Sequence, residues 1–196
     1  ASCLWNITMR GATDRAANDS KLFTITAVTN GGTGARPIKD GLSATAYPSG
    51  VRGTPVEINE TVAPIIFHRK EFRPDSGGAG AHRGGLGQIL EIESAIGADF
   101  ELLAAYDRID FPARGRNGGG NGEAGSLSFT NGEKLLGKGT QTIPNGKIAR
   151  FHTPGGAGFG DPKDRNPDQL ARDVANGLIT PEAAARDYGY VAGGDD

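Results

Sequence analysis

Two glycine-rich segments are the most informative part of this sequence: GGTGARPIKDGLSATAYPSGVRGTPVEINE, residues 31–60, and RKEFRPDSGGAGAHRGGLGQ, residues 69–88. Glycine occupies 32 of the 196 positions, about 16% where the average is ~7%. The glycines cluster in separate segments without a collagen-like or low-complexity repeat. This pattern indicates tightly turning loops of defined shape rather than disorder. Arginines and carboxylates accompany the glycines, so these loops are the first candidates for a functional site.

Composition and charge exclude several classes of protein. The net charge is -2, from 21 basic and 23 acidic residues without a long run of either sign, so neither nucleic acid nor an anionic membrane is a predicted partner. No apolar segment approaches the ~20 residues of a membrane span, and no signal peptide is visible. The single cysteine, Cys3, cannot form an internal disulfide or a cysteine-based zinc cage. A soluble cytoplasmic protein is therefore expected.

The middle of the chain is predicted to be β-rich, largely antiparallel and heavily looped. β-Branched and aromatic residues bounded by turn signals predict strands at residues 22–29, 56–59, 62–72, 88–94, 100–107, 126–130 and 147–152. Residues 97–99 are predicted to turn a hairpin between two of these strands. The pairs Asn131-Gly132 and Asn145-Gly146 are two further hairpin signals.

The C-terminal part of the chain changes to a helical pattern. Asn166-Pro167 is a typical helix start, and Gly177 stops this first predicted helix. Thr180-Pro181 repeats the pattern for a second helix, which Gly189 ends as a left-handed cap. Because helices this short are marginal alone, we expect them to pack on the β region or on a partner subunit.

The predicted fold class is α+β, with long glycine-rich loops and two short C-terminal helices. We divide the chain into a β-rich region, residues 1–164, and a helical segment packed on it, residues 165–196. The sequence begins with Ala1 rather than methionine. A processed start and excision from a longer polypeptide both agree with that beginning.

The first glycine-rich loop, residues 31–40, has the composition of a substrate or anion site. Gly32 and Gly34 let backbone N–H groups approach an anion closely, and Arg36 can hold a carboxylate or phosphoryl group in a bidentate fork. Asp40 completes this candidate binding set. In the competing interpretation, the glycines only form turns and Arg36 pairs with Asp40 on the surface.

The second loop, residues 75–87, adds candidate catalytic groups. Asp75 is a candidate catalytic carboxylate, His82 a candidate proton carrier and Arg83 a candidate anion clamp. In the alternative interpretation, Asp75 caps backbone amides, Arg83 bridges segments and His82 lies on the surface.

Glu57 and Glu60 in the segment PVEINE, residues 55–60, are candidate carboxylate bases. If this segment is an extended strand, residues three apart face opposite sides. Geometry then allows at most one of the two in a single site. Glu57, on the same face as Asn59, is the candidate catalytic residue, and Glu60 is assigned to a solvated strand edge.

Three familiar site templates do not fit. The segment GEKLLGKGT, residues 132–140, resembles a phosphate-binding P-loop, but Gly139 replaces the serine or threonine that holds magnesium. The glycine spacing of the second loop precedes a strand rather than a helix, which excludes the dinucleotide-binding pattern. The three histidines, His68, His82 and His152, have no metal-ligand spacing. No metal site is therefore predicted in this chain.

Several separated motifs resemble the hydantoinase B family, the B-type subunits or halves of N-methylhydantoinases, 5-oxoprolinases and acetone or acetophenone carboxylases. Besides the two opening segments, they are FPARGRNGGGNG, residues 111–122, TPGGAGFGDPKDRNP, residues 153–167, and DVANGLITPEAAARDYGYV, residues 173–191. Members of that family are several hundred residues long. The resemblance therefore implies that this chain corresponds to their C-terminal third.

The resemblance implies an ATP-dependent cyclic-amide hydrolase. An A-type subunit or domain would bind ATP and Mg²⁺ and activate a lactam or hydantoin ring, which the B-type portion would then open. In some members a divalent metal is bound by residues upstream of the part present here, so no cofactor is predicted in this chain. The implied partners are the upstream B-type portion, the A-type subunit and a small-molecule substrate. Carboxylation of an activated ketone and a non-catalytic scaffold role remain the alternatives.

Overall fold

The computed structural model describes residues 3–14, 21–46, 51 and 53–190. These ranges form eight strands and three α-helices: β1 Leu4–Ala12, β2 Leu22–Asn30, α1 Val56–Val62, β3 Ile65–Phe72, β4 Gln88–Ser94, β5 Phe100–Ala105, β6 Ser126–Phe129, β7 Lys138–Ile143, β8 Ala149–His152, α2 Pro167–Ala175 and α3 Pro181–Tyr188. No helix within them is long and apolar enough to cross a membrane.

The strands form two four-stranded sheets. One sheet has the order β2-β1-β5-β7 and the other β3-β4-β8-β6. Every pair of neighbouring strands is antiparallel. The predicted α+β, β-rich and largely antiparallel fold class is confirmed.

One hydrophobic core lies between the two sheets. In β1, alternation buries Trp5, Ile7 and Met9 completely, because successive side chains of a strand point to opposite faces. The Trp5 ring stacks on Tyr106 with 4.5 Å between ring centroids. Tyr106 in turn meets Phe151 of the second sheet edge-on at 6.2 Å. Aromatic contacts therefore join the two sheets at the centre of the core.

At two positions where a hairpin was predicted, the chain crosses from one sheet to the other. Strands β4 and β5 flank residues 97–99 but lie in different sheets, and so do β7 and β8 on either side of Asn145-Gly146. The second turn does form, since the Lys147 N–H donates to the Pro144 carbonyl at 3.1 Å. The hairpin predictions were wrong because turn residues specify a chain reversal, whereas the partners of each strand depend on burial of its apolar face.

Asn131-Gly132 does form a tight hairpin. Gly132 has φ 91°, which glycine adopts without strain. The Phe129 N–H donates to the Glu133 carbonyl at 2.8 Å, so the chain folds back directly after β6. This prediction is confirmed.

The segment predicted as a strand at residues 56–59 is helical. Pro55 occupies the N-cap, and Glu57 lies in the first turn, where an acidic side chain favours the helix. Asn59 is buried, and its side-chain amide donates to the Pro55 carbonyl at 3.3 Å. The valine and isoleucine content suggested a strand, but burial of Asn59 and the proline start outweigh that propensity. The next strand begins at Ile65 rather than at residue 62.

Both predicted C-terminal helices are confirmed. The Asn166 side chain accepts the N–H groups of the first turn of α2, and the Thr180 hydroxyl does the same for α3. Gly189 ends α3 with φ 67°. The helices bury a small apolar cluster formed by Leu170, Ile179, Ala183 and Ala184. Residues 191–196 of the predicted helical segment lie outside the described ranges.

Glycine-rich segments outside the helices and strands pack side by side into what we call the glycine cluster, residues 31–35, 41–44, 76–87, 113–122 and 153–160. Hydrogen bonds link their backbones directly. The Gly156 N–H donates to Gly85 at 2.9 Å, the Gly85 N–H to Thr33 at 2.8 Å, and the Gly78 N–H to Gly156 at 2.8 Å. The segments thereby satisfy backbone groups that would otherwise be buried without partners.

The spacing within this cluster requires glycine. A Cβ on Gly155 would lie 1.6 Å from the Ser76 carbonyl oxygen, and a Cβ on Gly156 would lie 1.8 Å from that of Thr33. A Cβ on Gly32 would lie 1.8 Å from the Gly85 oxygen. The high glycine content of the sequence therefore follows from backbone-to-backbone packing, in which a side chain has no room.

We expect Gly156→Ala to lower the free energy of unfolding by about 3 kcal/mol or more, because the added methyl group must push the packed backbones apart. Gly34→Ala is the matched control, since its Cβ would meet only the Ala157 oxygen at an ordinary 3.8 Å. Urea unfolding followed by circular dichroism measures both variants. Equal stability of the two would contradict the packing argument.

Candidate functional site

A buried ion network joins the glycine cluster to the C-terminal helices. Arg165 holds Asp40 with two parallel contacts, Nη1 to Oδ1 at 3.0 Å and Nη2 to Oδ2 at 2.8 Å. The Arg165 Nη2 also donates to Asp173 Oδ2 at 2.6 Å, and Arg83 Nε donates to the same oxygen at 3.1 Å. Arg83 and Arg165 are each 5% exposed and Asp173 8%. Two positive and two negative charges thus compensate each other, with Asp40 partly exposed and the other three side chains buried.

The network also fixes the ionisation state of Asp40. Burial alone raises the pKa of this carboxyl group, but the hydrogen bonds and charge of Arg165, together with the N–H and charge of Arg83, outweigh burial. The pKa of Asp40 therefore lies below its ordinary value. As a permanent anion near neutral pH, Asp40 connects the first glycine-rich loop to the second loop and to Arg165, two residues before α2.

Arg83 and Asp75, predicted as an anion clamp and a catalytic carboxylate, both have partners inside the protein. Besides Asp173, the Arg83 guanidinium donates to the Gly84 carbonyl at 2.7 Å. Asp75 accepts the N–H and the hydroxyl of Thr180, each at 2.8 Å. These contacts agree with the alternative in which Arg83 bridges segments and Asp75 caps backbone amides.

Arg36 and His82 lie close to the same Asp40. The Arg36 Nη2 donates to the Asp40 backbone carbonyl at 3.2 Å, and the Arg36 side chain is exposed. His82 is partly buried, with its Nδ1 3.8 Å from Asp40 Oδ1. The two glycine-rich loops predicted to share a site therefore do meet, at Asp40. Gly32 is packed against Gly85, whereas a Cβ on Gly34 would meet only the Ala157 oxygen at an ordinary 3.8 Å.

Glu57 lies elsewhere, on α1, and has no contact with the ion network within the described ranges. Because the segment is helical, Glu57 and Glu60 share a face, and the strand geometry predicted for them was wrong. Glu57 is exposed whereas Asn59 is buried, so these two residues do not share a face as predicted. The Glu60 carboxylate accepts the Phe67 N–H of β3 at 2.7 Å.

The three histidines are dispersed. His68 pairs with Glu93 at 2.7 Å, and His152 approaches the Ser126 hydroxyl at 3.3 Å. In the part of the chain that the structure describes, no three His, Cys, Asp or Glu side chains lie close enough to hold a metal ion. The divalent metal that the family resemblance implies therefore does not fit the side chains described here.

A cleft that the sequence analysis did not single out lies beside the glycine cluster. Its volume is about 400 Å³, and it is lined by Gly34, Arg108, Pro112, Ala113, Arg114, Arg116 and Ala157. None of its three arginines forms an ion pair with a described residue. The available sequence signal was three arginines within residues 108–116, of which Arg114 and Arg116 contributed only to the family resemblance and Arg108 was not singled out.

A second cavity of about 480 Å³ shares Arg108 with this cleft. Ile109, Phe111 and Leu136 contribute apolar surface to it, and Phe111 is 79% and Leu136 66% exposed. Apolar side chains with that exposure are usually scattered singly. Here they line one cavity next to a group of positive charges.

The sequence profile of the family described as hydantoinase B/oxoprolinase matches residues 1–162. The chain belongs to this family. The resemblance seen in the sequence motifs is thereby confirmed.

Named members of the hydantoinase B/oxoprolinase family are longer than this chain. The B-type subunit of a putative D-/L-hydantoinase from Pseudomonas sp. (strain NS671) is 32% identical over 170 residues, which cover 83% of this chain and 28% of the relative. The structure of the ATP-dependent caprolactamase from Pseudomonas jessenii matches with a TM-score of 0.75 and 27% identity, over 98% of this chain and 36% of that one.

The nucleotide-free structure of acetone carboxylase has the same fold. Its TM-score is 0.71 at 20% identity, over 97% of this chain and 30% of that chain. Taken together, the chain spans between 28% and 36% of the length of the three proteins compared. It corresponds to one part of a hydantoinase B/oxoprolinase protein.

Asp173→Asn should destabilise the protein by about 3 kcal/mol or more, because it leaves two buried guanidinium groups with a single carboxylate. Asp168→Asn on the same helix is the control. Asp168 is exposed in the first turn of α2, so its loss should cost no more than about 1 kcal/mol. Urea denaturation at pH 7 measures both. Similar losses would show that the network contributes little.

His152 should make stability depend on pH. Burial and the nearby charges of Arg73, Arg150 and Arg69 lower the pKa of His152 from 6.5 to about 4. As the pH falls, the unfolded chain therefore binds a proton before the folded protein does. The contribution of neutral His152 to the free energy of unfolding is complete above pH 6.5 and is lost as the pH falls towards about 4.

We expect His152→Gln to flatten the decline of the urea midpoint between pH 6.5 and 4. Unfolding curves recorded at several values across this window give the slope for each protein. An unchanged slope in the variant would contradict the assignment of this proton to His152.

Proposed function

We propose that this chain is part of an ATP-dependent cyclic-amide hydrolase, in which a partner activates a lactam or hydantoin ring with ATP and the hydantoinase B portion opens it. The observation that carries the proposal is the fold shared over nearly the whole chain with a caprolactamase described as ATP-dependent. The sequence identity with part of a putative hydantoinase supports the same class of substrate.

Elementary chemistry supports this division of labour. An amide is a poor electrophile at neutral pH, and phosphorylation of its oxygen converts that oxygen into a better leaving group. The site that handles the product of this activation must stabilise anionic groups and exclude water. Arginines on a rigid backbone are suited to that task. The three arginines beside the glycine cluster meet this requirement.

The predicted site residues divide into two groups on the basis of their contacts. Arg36, His82 and Glu57 are proposed to contact substrate or transfer protons, because their side chains are at least partly open to solvent. Asp40, Asp75 and Arg83 are proposed to position these loops, since their polar atoms are bound within the protein. Gly32 belongs with the second group and Gly34, which lines the arginine cleft, with the first.

Partners complete the proposed enzyme. ATP and Mg²⁺ are assigned to an A-type subunit or domain, and any divalent metal to the upstream B-type portion. No cofactor is assigned to the residues of this chain. A cytoplasmic location, where ATP is available, fits the proposed reaction.

Two other functions rank below this one. Carboxylation is the function named for acetone carboxylase, whose alpha subunit from Xanthobacter autotrophicus is 26% identical over 82% of this chain, below the 32% identity of the putative hydantoinase subunit. A purely architectural role is favoured by the contacts of Asp40, Asp75 and Arg83, which all bridge segments. The activity test below separates the catalytic and architectural roles.

ATP-dependent loss of 5-oxoproline, hydantoin or caprolactam should require this chain when it is combined with the A-type partner and the upstream B-type portion. Arg36→Ala should then lower kcat/KM about tenfold, because a charge-assisted contact to the substrate is lost. Glu57→Ala and His82→Ala test the proposed proton carriers in the same assay.

Gel filtration must show that each variant still assembles. If all three variants kept wild-type turnover in an intact complex, the chain would have no catalytic role and the architectural alternative would stand. Turnover in a complex that lacks this chain would contradict both the catalytic and the architectural role.

A further inference from the structure

We infer that the cleft around Arg108, Arg114 and Arg116 binds an organic anion, with the guanidinium groups at its carboxylate or phosphoryl head and Phe111 and Leu136 beside its apolar body. Guanidinium groups recognise both oxyanions through paired, parallel hydrogen bonds. The observations that support this site are charge, backbone rigidity and cavity shape.

Within the residues that the structure describes, no ion pair neutralises the charge of the cleft. Most described arginines form ion pairs: Arg10, Arg69, Arg73, Arg83, Arg150, Arg165 and Arg186. Among those that do not, Arg108, Arg114 and Arg116 line a single cleft. Because the whole chain carries a net charge of -2, this local excess of positive charge is not a consequence of a basic composition. Several positive charges around a concave surface attract an anion.

Nearby carboxylates do not reverse this balance. Asp107 and Asp110 line the adjoining cavity, together with Arg108 and Lys138. Asp107 is paired with Lys138 at 3.0 Å. Among the described acidic side chains that line the two cavities, Asp110 alone is left to offset three guanidinium groups. The two cavities together therefore retain a positive charge.

Hydrogen bonds to the glycine cluster and to Gly125 hold the backbone of Arg116 and Arg108 in place. The Arg116 N–H donates to the Gly158 carbonyl at 3.2 Å, and the Arg116 carbonyl accepts the Gly160 N–H at 3.0 Å. Arg108 has φ 60°, a left-handed conformation that is unfavourable for a non-glycine residue. Its carbonyl accepts the Gly125 N–H at 2.9 Å. Backbone conformations of this kind persist where the surrounding structure imposes them, often at binding sites.

The two cavities, of about 400 and 480 Å³, each fall within the ~300–1,000 Å³ of small-molecule sites. Arg108 lines both of them, so an anionic head among the arginines can be followed by an apolar body beside Phe111 and Leu136. Inorganic anions would contact only the cleft lined by the three arginines. The arrangement selects an organic anion with a short apolar chain or ring.

The role of this ligand as substrate or product rests on the proposed function, whereas anion binding itself does not. Water added across the C–N bond of a cyclic amide yields a carboxylate and an amine joined by a short carbon chain. This product has the anionic head and apolar body that the cleft accommodates.

Binding of acetate, hexanoate and inorganic phosphate to the 196-residue chain tests the inference, with ¹H–¹⁵N NMR of the arginine Nε–H groups as the readout. Arg114→Gln/Arg116→Gln should raise the dissociation constant of each anion about tenfold. Arg114→Lys/Arg116→Lys should also weaken binding, because lysine keeps the charge but lacks the planar fork. Hexanoate should bind about fivefold more tightly than acetate, and Phe111→Ala should reduce that difference.

Lys134→Gln/Arg172→Gln is the charge-matched control, since both side chains are exposed and lie outside the cleft. Binding in this control should stay within about twofold of wild type, as expected when an exposed charge acts from outside the site. Equal weakening in both double variants, or equal binding of hexanoate and acetate, would overturn the inference. Unchanged circular dichroism spectra and unfolding midpoints confirm that the variants are folded.

Failure of this inference can be told apart from failure of the proposed function. Anion binding by the chain, without turnover of cyclic amides in the assembled complex, would contradict the proposed function and leave the binding site standing. Turnover in the complex without anion binding by the chain would overturn the binding site alone.

Discussion

The close approach of backbones in the glycine cluster is the constraint on which the rest of this structure depends. Segments from five parts of the sequence meet at distances that leave no room for a Cβ, as at Gly155 and Gly156. Their N–H and carbonyl groups bond to one another across these contacts. The cluster thereby contributes to both the ion network and the arginine cleft, since Arg83 of the network and Arg114 and Arg116 of the cleft belong to its segments.

The ion network adds a second, electrostatic restraint. Asp40 and Arg83 belong to the two glycine-rich loops, and Arg165 and Asp173 to the C-terminal part of the chain. Breaking such a network costs far more than a surface ion pair because every member is buried or half-buried. The loops are thus fixed in place, and the chemistry of the proposed site falls to side chains that remain open, such as Arg36 and the cleft arginines.

Local signals in the sequence predicted local structure well. The caps at Asn166, Thr180 and Gly189 predicted two helices, because capping chemistry acts within a few residues. Hairpins at residues 97–99 and Asn145-Gly146 were predicted wrongly, because strand pairing is settled by burial across the whole sheet. Strand β1 was missed, although its alternating Trp5, Ile7 and Met9 carry the signal.

The site was harder to predict than the fold. Sequence analysis singled out the two glycine-rich loops, which pack together in the structure. It could not tell an arginine bound to protein carboxylates from one that is free. Arg83 was singled out and is held by Asp173, whereas Arg114 and Arg116 were overlooked and have no ion pair within the described ranges. The pairing of charges depends on contacts between residues far apart in the sequence.

The central claim is that backbone contacts in the glycine cluster form part of the stable core. Hydrogen exchange of individual glycine amides tests this claim most directly. The account predicts that the N–H groups of Gly78, Gly85 and Gly156 exchange as slowly as those of strands β1 and β5, through global unfolding. Exchange at the rate of exposed loops would show that the cluster opens independently, and would contradict the account.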